Sequence, residues 1–115
     1  SSENTLIGNL RRLLLRGYDT MKYRCVKADS AVNVIRDGSR TYVEDGIANA
    51  RKRAMKVIHG DRDTAVLIFR ESDYKERPWA GYVEKVVLSS KKLNTYGTYT
   101  KKGLVALNKD GTPNN

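Results

Sequence analysis

Residues 64–70 read T-A-V-L-I-F-R, and the five residues from Ala65 to Phe69 are apolar without interruption. A strand with one face in water alternates apolar and polar side chains, so an unbroken apolar run indicates a strand that is buried on both faces. The run is also far shorter than the roughly 20 residues that a membrane-spanning helix needs. We therefore predict a central strand here and assign the flanking segments around it.

The segment before this strand has the periodicity of an amphipathic helix. Apolar residues share one face: Val43, Ile47, Ala50, Ala54, Val57 and Ile58. The cations Lys52, Arg53 and Lys56 lie on the opposite face. Thr41 and Glu44 match a capping box, which predicts the start of the helix, and Gly60 predicts its end.

The remaining elements are shorter and are predicted from their patterns. Leucines at helical spacing indicate an amphipathic helix within residues 1–17. Strands are predicted at Met21–Ala28, Val32–Arg36 and Gly81–Leu88, and a further short strand at Leu104–Leu107.

The order of these elements predicts a single α+β domain over residues 1–107. We expect two helices packed on a four- or five-stranded, mostly antiparallel sheet, in the order α-β-β-α-β-β with the further short strand last. Only one helix lies between predicted strands, which does not support repeated parallel βαβ winding. Residues 108–115 have the composition of a flexible C-terminal tail.

The net charge of +9 is distributed unevenly along the chain. Residues 21–60 carry nine basic and four acidic side chains, a net +5, and residues 91–115 carry five and one, a net +4. Residues 61–90 carry five basic and six acidic side chains, a net −1. Two basic zones around an acidic middle favour a polyanionic partner, either nucleic acid or an acidic protein surface.

A lysine- and tyrosine-rich segment, residues 91–103, is the leading candidate for nucleic-acid binding. Two lysine pairs bracket two tyrosines in it: Lys91, Lys92, Tyr96, Tyr99, Lys101 and Lys102. Lysines neutralise phosphates and tyrosine rings stack on bases, so the segment predicts contacts with a nucleic-acid backbone. Lys52, Arg53 and Lys56 would extend this surface. The structural alternative is a β-hairpin with core tyrosines and solvated lysines, beside helix cations that complement the helix dipole.

A second hypothesis is a protein-interaction module, a regulator or inhibitor of the kind that phages and mobile elements encode. Its anchors would be Tyr74, Arg77 and Trp79, since exposed aromatic and arginine side chains dominate interface energetics. The alternative is a loop held onto the core by its tryptophan.

Catalytic and metal-binding signatures are sparse. His59 and Cys25 are the single histidine and the single cysteine, which excludes a Cys/His zinc site and an intrachain disulfide. Asp61, Asp63 and the pair Asp73 and Lys75 make a metal-dependent nuclease a distant third hypothesis. We predict a non-enzymatic protein without metal or cofactor in a reducing, cytoplasmic compartment.

Overall fold

The computed structural model describes residues 21–38, 40–75, 81–89 and 95–114. These residues form a six-stranded sheet with one α-helix packed on one face. The strands are β1 (Lys22–Asp29), β2 (Tyr42–Asp45), β3 (Thr64–Arg70), β4 (Glu84–Leu88), β5 (Tyr96–Thr100) and β6 (Gly103–Ala106). The helix, α1, spans Ile47–Ile58, and a 3-10 turn, Glu71–Asp73, follows β3.

Every pair of neighbouring strands is antiparallel, in the order β2-β1-β3-β4-β5-β6. The prediction of a central, doubly buried strand is confirmed, because β3 is buried from Thr64 to Phe69 and exposed only at Arg70. Its alternate side chains enter two clusters: Val66 and Ile68 pack under α1, whereas Leu67 and Phe69 pack on the opposite face.

The predicted fold class is wrong in its balance of helix and sheet. We expected two helices on four or five strands, whereas the described residues form one helix on a six-stranded antiparallel sheet and are mostly β. The predicted helix within residues 1–17 lies outside the described residues. No helix in the described ranges is long and apolar enough to cross a membrane.

The predicted capping box is also wrong, because Glu44 belongs to a strand that begins directly after Thr41. Residues 42–45 pair with β1, with Tyr42 opposite Cys25 and Glu44 opposite Tyr23. Gly46 then turns the chain with a φ of 84° and occupies the N-cap of α1 without a side-chain cap. The aromatic and β-branched residues of β2 gain more from pairing with β1 than from an extra helical turn.

The second predicted strand, Val32–Arg36, forms a turn and an isolated bridge. The carboxylate of Asp29 accepts hydrogen bonds from the backbone and side-chain amides of Asn33, and Val32 takes a φ of 70°. Only Val34 pairs with the sheet, opposite Ala28. A side-chain acceptor that competes with the strand ladder therefore ends the pairing here.

A buried ion pair joins α1 to the sheet. Glu84 on β4 accepts hydrogen bonds from Nε and Nη2 of Arg51, both at 2.8 Å, and from the hydroxyl of Thr98 at 2.8 Å. Nη1 of Arg51 donates to the carbonyl of Gly111 at 3.2 Å. The pair therefore connects the helix, two strands and the residues after β6.

Residues 107–114, most of which we predicted to be a tail, return toward α1. Leu107 and Pro113 form an antiparallel bridge, and the amide of Asn114 donates to the carbonyl of Ala106 at 2.8 Å. Gly111 lies so close to α1 that an added Cβ would be 2.1 Å from the carbonyl oxygen of Ala48. This turn forms one wall of the groove described below.

Candidate functional site

The two tyrosines of the predicted binding segment lie on opposite faces of the sheet. Side chains alternate along a strand, so residues three apart on β5 point to opposite sides. Tyr96 lies on the α1 side, opposite Leu88, and its hydroxyl accepts a hydrogen bond from the amide of Gly60 at 2.9 Å. Tyr99 lies on the other side, opposite Lys85. Because the two tyrosines are on opposite faces, the segment contributes to two surfaces. Lys91 and Lys92 lie outside the described residues.

The first surface is a groove of about 330 Å³ between α1, the start of β5 and the turn after β6. We call it the helix–strand groove. Its lining comprises Lys52, Met55, Lys56, His59, Tyr96, Leu107, Asn108 and Lys109. The structure thus brings two of the predicted helix cations together with one predicted tyrosine.

The helical repeat places the α1 residues of this groove. Lys52, Met55, Lys56 and His59 are spaced i, i+3, i+4 and i+7, which puts them on one side of a helix. His59 ends α1 in the left-handed region, with a φ of 42°, and its amide donates to the carbonyl of Met55 at 3.0 Å. This cap holds the imidazole at the end of the groove.

The turn after β6 places Lys109 on the opposite wall. The amide of Asn108 donates to the carbonyl of Thr112 at 2.8 Å, and the amide of Gly111 donates to the carbonyl of Asn108 at 3.0 Å. Asp110 reinforces the turn by accepting hydrogen bonds from the amide and hydroxyl of Thr112. These hydrogen bonds lower the pKa of Asp110, and the bond from the Thr112 hydroxyl has the largest effect. The positive charge of Lys52 lowers this pKa slightly further.

The groove is electropositive. Lys52, Lys56 and Lys109 are all exposed, and none forms an ion pair with a residue in the described ranges. No carboxylate is among the lining residues. Three like charges around a concave surface raise the local concentration of anions.

Arg53, the third predicted helix cation, is held by neighbours in the fold. Its Nε donates to Glu44 at 2.8 Å, and its guanidinium lies 4.7 Å from the centre of the Tyr42 ring. The bond to Glu44 raises the pKa of Arg53. Arg53 lines a separate depression of about 110 Å³ with Glu44, Asn49, Lys52 and Lys56. It lies beside the groove and does not line it.

The second surface lies away from the groove and includes Tyr99, Lys101 and Lys102. Tyr99 is 43% exposed, with the ammonium of Lys85 at 4.7 Å from its ring centre. Lys101 and Lys102 form the turn between β5 and β6 and line a cleft of about 510 Å³ at the strand ends. Arg70, Asp73 and Glu84 also line this cleft, so its charge is mixed.

The predicted protein-interface anchors are only partly visible. Arg77 and Trp79 lie outside the described residues. Tyr74 packs edge-on against Phe69, with ring centres 5.3 Å apart, and Arg24 lies 5.0 Å from the Tyr74 ring centre. Tyr74 is therefore in contact with the core cluster of the face opposite α1.

Cys25 and Asp61, two residues that could serve catalysis, are held in contacts within the fold. Burial raises the pKa of the Cys25 thiol to about 12, and its Sγ donates to the carbonyl of Ala50 at 3.4 Å. A thiol with that pKa stays protonated near neutral pH and is a poor nucleophile. Asp61 accepts hydrogen bonds from the hydroxyl of Thr64 and the amide of Asp63, which lower its pKa. Within the described ranges, no group of three or more His, Cys, Asp or Glu residues could hold a metal ion.

Sequence analysis did not identify Lys109, Met55 and Leu107 as members of a site. The run Asn108-Lys109-Asp110-Gly111 is a turn signature and predicts a reversal there. That the reversal lies against α1 depends on the close contact of Gly111 with Ala48, which no local pattern indicates.

Comparison of this chain with protein-family models, with curated proteins and with solved structures gave no match.

Proposed function

We propose that this protein binds nucleic acid without catalysing a reaction, and that the helix–strand groove contacts the phosphate backbone. The observation that carries the proposal is the convergence of Lys52, Lys56 and Lys109 around Tyr96 in one concave surface. Lysines neutralise phosphates, and an aromatic ring beside them offers a stacking surface. The net charge of +9 adds long-range attraction for a polyanion.

The groove has features that a solvated helix face lacks. A lysine that only complements the helix dipole lies near the last turn of the helix, as Lys56 does. The dipole does not require a further cation from a distant segment of the chain. Lys109 is 53 positions beyond Lys56 (109 − 56) and is brought to the groove by the turn after β6. Positive charge gathered from distant segments is typical of an anion-binding surface.

The test is a fluorescence anisotropy titration with labelled DNA and RNA oligonucleotides at low salt. The groove variant carries Lys52→Gln, Lys56→Gln and Lys109→Gln. A matched control, Arg40→Gln with Arg62→Gln and Lys75→Gln, removes three exposed cations outside the predicted binding residues and leaves the same net charge. We expect the groove variant to bind at least about tenfold more weakly than the control.

Equal loss in the two variants would show that the net charge alone drives binding and would overturn the assignment of the site. Absence of binding by the wild-type protein at low salt would overturn the proposed function. In that case the protein-interaction hypothesis, which includes Tyr74, Arg77 and Trp79, becomes the leading one. The cytoplasmic, reducing location belongs to the same proposal, because it keeps Cys25 as a thiol and gives access to nucleic acid.

A further inference from the structure

The helix–strand groove combines apolar lining residues with lysines. We infer that it accepts one unpaired base and that the protein prefers single-stranded nucleic acid, an inference that rests on the proposed function. Its volume of about 330 Å³ is at the lower end of the roughly 300–1,000 Å³ typical of small-ligand sites. A single base with its sugar fits such a volume, whereas stacked base pairs do not.

The apolar part of the lining suits a base. Leu107 is buried, and Met55 and Tyr96 are half-buried and pack against the main core cluster. The hydrogen bond from the Gly60 amide fixes the hydroxyl end of Tyr96, so the ring is held in place before a ligand arrives. A preordered ring loses little conformational entropy on stacking.

The lysines are on both walls. Lys52 and Lys56 come from α1, and Lys109 comes from the turn after β6. A strand that inserts one base between the walls brings its flanking phosphates toward both sets of lysines. A duplex presents a convex backbone with its bases stacked inside, so it reaches the lysines without filling the apolar part. Extruding a base from the duplex costs a few kcal/mol.

The experiment compares a labelled oligothymidylate of about 15 nucleotides with a labelled duplex of equal length, each titrated into the full chain. We expect the single strand to bind at least about tenfold more tightly than the duplex. Tyr96→Leu removes the aromatic ring and should weaken single-strand binding about 5- to 150-fold while leaving duplex binding unchanged. Tyr96→Phe keeps the ring but loses the hydroxyl that accepts the Gly60 hydrogen bond, so it should bind the single strand more tightly than Tyr96→Leu and somewhat more weakly than the wild type.

Cross-linking of the wild-type protein keeps the test independent of the folding of any variant. Ultraviolet irradiation of its complex with a 5-iodouracil oligonucleotide, followed by peptide mass spectrometry, should identify Tyr96. A cross-link at Tyr99 instead would overturn the inference. Equal affinity for single strand and duplex would also overturn it, and the proposed function would survive if the groove lysine variant still lost binding. If the lysine variant keeps both single-strand and duplex binding, the inference and the assignment of the groove as the binding site are both overturned.

Discussion

Replacing Glu84 with alanine should destabilise this protein severely. Glu84 accepts two hydrogen bonds from Arg51 and one from Thr98, all at 2.8 Å, and the Arg51 and Glu84 side chains are only 11% and 10% exposed. In Glu84→Ala the guanidinium keeps one bond, to the carbonyl of Gly111. Breaking a buried pair this way costs about 3–5 kcal/mol. The total free energy of unfolding of a chain of this size is roughly 6–17 kcal/mol, so this loss is a large share of it. Divided by the unfolding entropy expected for this chain length, the loss should lower the thermal midpoint by about 10–20 °C.

A double-mutant cycle measured by urea unfolding and circular dichroism tests the reasoning. We expect Arg51→Met and Glu84→Leu to be costly singly, because each leaves one charged group buried without its partner. Together they should cost less than the sum of the two single losses, since no buried charge is left unpaired, and the remaining cost comes from the Thr98 hydroxyl, which loses its acceptor. A loss below about 1 kcal/mol in Glu84→Ala, or additive losses in the cycle, would refute the claim that this pair is buried and coupled.

Three further outcomes are expected. Gly111→Ala should lower the free energy of unfolding, measured in urea, by about 2–4 kcal/mol, because the added Cβ would lie 2.1 Å from the Ala48 carbonyl oxygen at a φ of 84°. Gly38→Ala is the control: it has the same kind of backbone, with a φ of 83°, but open space around the Cβ, and should cost about 1 kcal/mol. Equal costs would contradict the close contact. Burial raises the pKa of Cys25 to about 12 from 9.0, so between these two pH values only the unfolded chain loses the thiol proton. In that window the stability of the wild type should fall with rising pH, by up to about 1.4 kcal/mol per pH unit more than the stability of Cys25→Ala. Parallel pH profiles for the two proteins would refute this. Tyr99→Ser should bind single strands as the wild type does in an anisotropy titration, since Tyr99 lies on the face opposite the groove; a tenfold loss would move the site to that face.

The part of the fold that sequence analysis predicted best is the part that burial determines. An apolar run without alternation has one stable location, between two other strands, and β3 is there. The helical face from Ile47 to Ile58 was also predicted, because the 3.6-residue period of its apolar residues continues over several turns, although Val43, which was assigned to the same face, lies in β2. Both signals extend over many residues, so a competing local preference does not cancel them.

The errors fall where a local pattern competes with a distant partner. Thr41 and Glu44 satisfy the spacing of a capping box, yet Thr41 accepts a hydrogen bond from Arg24 and Glu44 pairs with Arg53. Both partners become available only after β1, β2 and α1 have assembled. The predicted strand at Val32–Arg36 fails for a local reason instead, because the carboxylate of Asp29 accepts hydrogen bonds from Asn33, four residues further on.

The candidate site was predicted in fragments. Lys52, Lys56 and Tyr96 were named from the sequence, but their meeting depends on the end of α1 lying beside Tyr96 at the start of β5, and Lys109 was placed in a tail. Tyr99 was grouped with Tyr96 from composition, although the strand repeat separates them once β5 is known to be a strand. Composition therefore identified the residue types, and sheet register decided which of them share a surface.

The salt dependence of binding tests the central claim most directly. The affinity for a single-stranded oligonucleotide should be measured by anisotropy between about 50 and 200 mM salt, for the wild type and for the variant with Lys52, Lys56 and Lys109 changed to Gln. If the three groove lysines contact phosphates, the slope of log affinity against log salt should be shallower by about 2 in the variant, which corresponds to roughly 20-fold over this range. Parallel slopes for the two proteins would contradict the assignment of the groove as the nucleic-acid site.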